Sequence, residues 1–174
     1  MKEHISPFDY AHIILNRLKK GVLITTKDGE KVNTMSISWG TFGIEWRKPI
    51  FITYVRGCRH TKGLLDQNRE FTVNIPIEDI DPEIIAYCGN KSGRDVDKIQ
   101  ALGLTLEEPD VISTPGIRQL PLTLECKVVY TQQQLPECMS GEDVRGHYPA
   151  NSNNIHDDFH TAYYAEIVSA YIIR

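Results

Sequence analysis

An antiparallel β-barrel with peripheral helices is the fold the sequence predicts, and three observations predict it. Segments rich in β-branched and aromatic residues recur at 22–26, 31–38, 50–55, 71–75, 122–130 and 163–173. The regular helical crossovers that parallel strands need are missing between them, so an antiparallel, mainly β arrangement follows. A chain of 174 residues, 41% hydrophobic, can bury one core with little room for a second, and residues 1–174 read as a single domain.

The elements follow in order. Ser6 stands where a helix cap is expected and Pro7 suits the first helical position. Phe8, Ala11, Ile14, Leu15 and Leu18 then make an apolar stripe, and Arg17, Lys19, Lys20 and Gly21 suit a helix end, so the spacing predicts a helix over 7–19. Asp28-Gly29 between the first two strand segments is a dipeptide suited to the positive φ angles of a hairpin turn. Along the second strand Thr34, Ser36 and Ser38 alternate with Met35, Ile37 and Trp39, giving one hydroxyl-rich face and one apolar face. Short helices fit 62–68, 81–87 and 96–102. The stretch 132–160, with Gln132-Gln-Gln, Pro136, Gly141, Gly146, Pro149 and Asn151-Ser-Asn-Asn, reads as a long irregular loop that caps a site or meets a partner.

Composition excludes several roles. A net charge of −4 and a pI near 5.9 provide no broad basic surface for nucleic acid or an anionic membrane. The first residues lack the apolar stretch of a secretory signal, and no apolar run reaches the roughly 20 residues of a membrane span, so a cytoplasmic protein is expected. Cys58, Cys88, Cys126 and Cys138 form no Cys-x-x-Cys pair, and reduced thiols are expected. Neither a Gly-x-Gly-x-x-Gly nor a Gly-x-x-x-x-Gly-Lys-Ser/Thr motif is present, so a nucleotide-like ligand would be held by other means.

Two stretches carry anion-binding chemistry. Arg56-Gly-Cys-Arg-His-Thr61 gathers two guanidiniums, an imidazole and a hydroxyl between a strand and a helix start, where free N–H groups favour phosphate. Cys88-Gly-Asn-Lys-Ser-Gly-Arg-Asp-Val-Asp-Lys98 is a glycine-punctuated loop whose donors can surround an anion. A solvated basic turn is the plain alternative for either, and a water-facing sheet surface is the plain alternative for the hydroxyls of 33–38. His147, His156, His160, Asp157 and Asp158 match no metal spacing, and no metal is expected. Cys58 and Cys88 stand beside basic residues that could activate a thiol, with idle cysteines as the simpler reading.

Gly21-Val-Leu-Ile-Thr-Thr, Asn33-Thr-Met-Ser-Ile-Ser-Trp-Gly40, Arg59-His-Thr61, Phe71-Thr-Val-Asn-Ile-Pro, Ser92-Gly-Arg-Asp-Val-Asp-Lys98 and Pro121-Leu-Thr-Leu-Glu-Cys126 run in an order that resembles the flavin reductase-like family. The 92–98 run is similar to that of flavoredoxins. The resemblance implies a split β-barrel that binds FMN noncovalently as a homodimer, with the flavin near the subunit interface. It implies that Asn33, Thr34, Met35, Ser36, Trp39 and Gly40 follow the ring and ribityl chain. Arg59, Thr61 and Lys98 would then face the phosphate, with Ser92 supporting the second loop, and His60 and Asn74 would be further cofactor contacts. His160 would sit near the flavin and orient a substrate. The implied activity is electron transfer through FMN, from NADH or NADPH to a small-molecule or protein acceptor, without an assigned catalytic side chain. A carrier reduced by a protein partner and a flavin-binding sensor are the alternatives. Two departures from the family pattern, Tyr164-Ala-Glu-Ile and Lys98-Ile99, fall near the barrel edge.

Overall fold

The computed structural model describes residues 1–148 and 158–174. Lys2–His4 forms β1, and after a turn Ala11–Lys20 forms α1. The strands β2 (Val22–Asp28), β3 (Lys31–Ile37), β4 (Gly40–Glu45) and β5 (Lys48–Arg56) follow as two hairpins. Then come α2 (His60–Asn68), β6 (Glu70–Ile75), α3 (Pro82–Asn90) and α4 (Lys98–Ala101). The short strands β7 (Leu106–Glu107) and β8 (Gly116–Ile117) precede the long β9 (Leu122–Gln133), α5 (Gly141–His147) and β10 (His160–Ile173).

Every strand pair is antiparallel, and the main sheet runs β3-β2-β6-β9-β10-β5-β4, with β1 added to β10. Alternation sends Ile24, Met35, Phe51, Val73, Leu124 and Ala165 into one buried cluster inside the curled sheet. Its outer side carries a second cluster, in which Cys88 of α3 packs with Leu23, Leu104, Ile117 and Leu120. The fold is the expected antiparallel split barrel with helices at its periphery.

Several boundaries differ from expectation. Ser6 caps nothing with its side chain; the N–H of Asp9 donates to its carbonyl at 3.1 Å, and α1 starts four residues after Pro7. β4 is an unforeseen strand because two glycines dilute its pattern. It closes onto β5 through Trp46 and Arg47, both left-handed at φ 51° and 60°, in place of the usual Asn-Gly. The stretch 132–160 is not one loop: β9 continues to Gln133 opposite Thr161, and Ser140 caps α5 by accepting the N–H of Asp143 at 3.1 Å. Ladder pairing and a good cap override the polar composition there. Pro149 and the Asn151-Ser-Asn-Asn run lie outside the described residues.

Candidate functional site

The end of β5, the N-terminus of α2 and the 88–98 loop converge on the edge of β3. Arg59, at the N-cap of α2, is extended and offers no side-chain cap, so the first-turn N–H groups open toward this point. α2 itself is anchored twice. Asn33 Nδ2 donates to Thr61 Oγ1 at 2.9 Å, and Tyr163 Oη donates to Asp66 Oδ1 at 2.6 Å. The 88–98 loop is pressed onto β3 at two glycines: a Cβ on Gly89 would lie 2.5 Å from Ser36 Oγ, and one on Gly93 only 2.0 Å from Asn33 Oδ1. Only glycine permits both approaches.

The result is a cavity of about 150 Å³ that brings together seven expected site residues: Asn33, Met35, Arg59, His60, Thr61, Ser92 and Lys98. Lys91 and Arg94 complete its cationic lining, and no carboxylate lines it among the described residues. Lys98 is 4% exposed and donates to the carbonyls of Cys88 at 3.3 Å and Lys91 at 3.2 Å. It has no carboxylate partner among the described residues, and burial draws its pKa down. His60 Nε2 is buried without a hydrogen-bond partner. Burial, followed by Lys31, Arg94 and Lys98, holds its imidazole below the usual histidine range. Thr61 and Ser92 each accept one bond, from Asn33 and from the Arg94 N–H, leaving their O–H groups as donors.

Arg59 and Met35 also line an adjoining cavity of about 230 Å³ with Ser36, Ser38, Trp39, Tyr54, Arg56 and His160. His160 packs against Trp39 at 4.9 Å between ring centroids, and its Nδ1 shares a hydrogen bond with Tyr148 Oη. Tyr148 donates its proton to Gln134 Oε1 at 3.1 Å. Its oxygen therefore accepts from Nδ1–H, and His160 Nε2 carries a lone pair. Burial first, then Arg56, pushes His160 down to about 4, so this imidazole is neutral at pH 7. Arg56 pairs with Asp158 at 3.0 Å. Hydrogen bonds from Cys58 and Arg56 outweigh burial and hold Asp158 below the usual carboxylate range.

Three expected residues stand apart. Gly40 opens on a separate groove beside α1. Thr34 is wholly buried, and its hydroxyl donates to Ile24 O at 3.1 Å, so of the hydroxyl-rich face of β3 only Ser36 and Ser38 open on the adjoining cavity. Asn74 is a correction: it is wholly buried, donates to Thr25 Oγ1 at 3.0 Å and accepts the Ile117 N–H at 2.9 Å, which makes it a tie between strands. Conversely, Arg56, Tyr54 and Arg94 line the site beyond the residues that the resemblance implies. Arg56 and Arg94 belong to the two anion-binding stretches of the sequence, whereas Tyr54 could have been found from period-2 alternation, because Phe51, Thr53 and Val55 take the buried face of β5.

The thiols beside the cradle are not activated. Burial pushes Cys88 up to about 11 and, with Asp158, raises Cys58. All four cysteines are unpaired. Among the described residues no group of three or more His, Cys, Asp or Glu is placed to hold a metal, and no helix is long and apolar enough to cross a membrane. His156 and Asp157 lie outside the described residues.

Residues 15–174 match the flavin reductase like domain. The chain belongs to that family. An uncharacterized protein of Archaeoglobus fulgidus is 28% identical over 100 residues, 58% of this chain and 55% of the relative, so the match spans about half of that relative's length. In three dimensions this family member is similar to flavoredoxin from Methanosarcina acetivorans, with a TM-score of 0.67 and 23% identity over 88% of this chain and 68% of that one. It is also similar to an FMN-binding domain of a flavin reductases-like enzyme from Shewanella baltica, with a TM-score of 0.69 and 15% identity over 99% and 77% of the two chains. Nitrilotriacetate monooxygenase component B from Bacillus cereus gives a TM-score of 0.66 and 17% identity over 99% and 82%. At these identities the likeness is one of fold.

Proposed function

We propose that this flavin reductase-like protein holds FMN noncovalently and passes electrons through it, from NADH or NADPH to a small-molecule or protein acceptor. The observation that carries the reading is the cradle itself, where among the described residues no carboxylate enters the lining, a buried ammonium lacks a counter-ion and a buried imidazole nitrogen lacks a partner. FMN carries a phosphate dianion at one end and a hydrogen-bonding ring at the other, and the residues present fit both. When bound, FMN supplies the redox chemistry itself.

The chain's own part is positioning. Arg59 and Lys98 balance phosphate charge, Thr61, Ser92 and the first-turn N–H groups of α2 donate to its oxygens, and Asn33 holds Thr61 in place. Met35, Ser36 and Trp39 line the adjoining cavity, where a ring would rest on apolar surface. The neutral His160 offers its Nε2 lone pair there, and its bond to Tyr148 fixes the ring's orientation. The reading includes a cytoplasmic homodimer, supported by exposed Trp39 and Leu15 on the apolar groove beside the site.

An absorbance spectrum of the purified protein with FMN, followed anaerobically after addition of NADH and then NADPH, tests the reading. Bleaching of bound flavin identifies the donor. Protein that stays colourless and gains no thermal stability from FMN would sink the proposal.

A further inference from the structure

Beside α1 runs a groove of about 660 Å³, within the roughly 300–1,000 Å³ range of small-molecule sites. It shares Ser38, Trp39 and Tyr54 with the cavity where the flavin ring would rest, so a molecule seated in the groove borders whatever fills that cavity. The flavin reading gives the groove no ligand.

Its walls define a chemistry. Leu15 and Leu18 stand three apart on α1 and share a face, and with Trp39 and Tyr54 they make an apolar surface suited to a flat ring. The polar groups of fixed polarity are donors. Gln134 is held twice: its backbone N–H donates to His160 O at 2.9 Å, and its Oε1 accepts the Tyr148 proton at 3.1 Å. With Oε1 taken, the side chain offers the groove its Nε2 hydrogens. Lys19, exposed on the last turn of α1, joins no ion pair among the described residues. No carboxylate lines the groove among those residues.

A cation would find no counter-charge here, and a polyol would leave the aromatic and leucine surface uncovered. An anionic head on a flat apolar body answers both parts of the lining. We infer that the groove binds small planar aromatic carboxylates beside the flavin ring, with Lys19 and Gln134 as the residues that select the charge. The inference rests on the flavin reading above and names the class of small molecule that the flavin site receives. Gln134 also continues through Tyr148 to His160, so one hydrogen-bonded chain joins the ligand's head to the imidazole of the ring cavity.

Titration calorimetry of the FMN-loaded protein with benzoate and with benzamide, its neutral isostere, tests the inference. Benzoate is expected to bind about fivefold more tightly than benzamide, the scale of an exposed ion pair, and to shift the absorbance band of the bound flavin. Lys19→Met, at an exposed position outside the cradle, should erase that difference. Gln134→Glu keeps the acceptor that Tyr148 uses but turns the donor facing the groove into an anion, so it should reverse the preference. Equal affinities in the unaltered protein, a preference that survives either substitution, or binding that leaves the flavin band unmoved overturns the inference. So does a benzoate affinity that falls as protein concentration rises, which gives the groove to a second copy of the chain. Each of these outcomes leaves FMN binding intact, whereas an unaltered protein that binds no FMN overturns the flavin reading itself.

Discussion

Lys98→Met separates what the fold needs from what the ligand needs. The ammonium is 4% exposed, makes two carbonyl contacts of 3.2 and 3.3 Å and faces Arg59 across the same cavity. Burial and Arg59 oppose its charge in the flavin-free protein, so a methionine of similar length should leave that state as stable as before or slightly more so. With FMN present the sign reverses. A charge-assisted bond to phosphate contributes about 1.5–3 kcal/mol, and a loss of about 2 kcal/mol raises Kd roughly 30-fold. At FMN equal to about 100 Kd of the unaltered protein, ligand stabilisation falls from about 2.7 to about 0.9 kcal/mol. Thermal unfolding with and without FMN reads this as an upshift of roughly 5–11 °C reduced to about 2–4 °C. A variant that keeps the full upshift refutes the placement of phosphate beside Lys98. One that loses more than about 2 kcal/mol without FMN refutes the claim that this charge opposes folding.

Gly93→Ala should cost about 1–3 kcal/mol by overpacking and weaken FMN binding, because its Cβ displaces Asn33 from Thr61; Gly63→Ala, with nothing within 4 Å, is the matched control in the same unfolding assay. Replacing Trp46-Arg47 by Asn-Gly should stabilise by about 1 kcal/mol or more, since both residues are left-handed; an unchanged denaturant midpoint would show that the turn is unstrained. His160 titrates near 4 when folded and near 6.5 when unfolded, so the unfolded chain binds more protons between those values. Its contribution is complete above about pH 6.5 and is lost as pH falls toward 4. Screening at the cavity mouth reduces it to about 1–2 kcal/mol, and His160→Gln should flatten urea-derived stability between pH 6.5 and 5 by part of that amount.

The period-2 alternation of β3 and the apolar runs of β2, β6, β9 and β10 made the barrel legible, because strands buried on both faces over 22–26, 71–75 and 122–126 read as continuous apolar runs. The order of motifs made the cradle legible, and Asn33, Arg59, His60, Thr61, Ser92 and Lys98 do meet in one cavity. What stayed hidden depended on pairing and packing rather than composition. The polarity of Thr131, Gln132 and Gln133 conceals the end of β9, whose ladder to β10 decides it, and Asn74 looks like any strand-end amide until β8 crosses over it. Arg56 and His160 lie 104 residues apart in sequence and become Cα partners only through the β5–β10 register.

That register and the two glycine contacts together account for the cradle's chemistry. β3 presents Asn33 to the cavity and Ser36 to α3, while Gly93 and Gly89 press the basic loop onto those two residues. On the opposite wall, Tyr163 holds α2 through Asp66, which is itself paired with Lys62 at 2.7 Å. Neither wall can retreat from the other without breaking a hydrogen bond or opening a packed contact. Arg59, Arg94 and Lys98 are therefore kept close despite their mutual repulsion, and folding bears that electrostatic cost before any ligand arrives. On the proposed reading, an anion entering the cavity would relieve it without needing to reorganise the walls, so that affinity for phosphate would derive from repulsion already present in the fold.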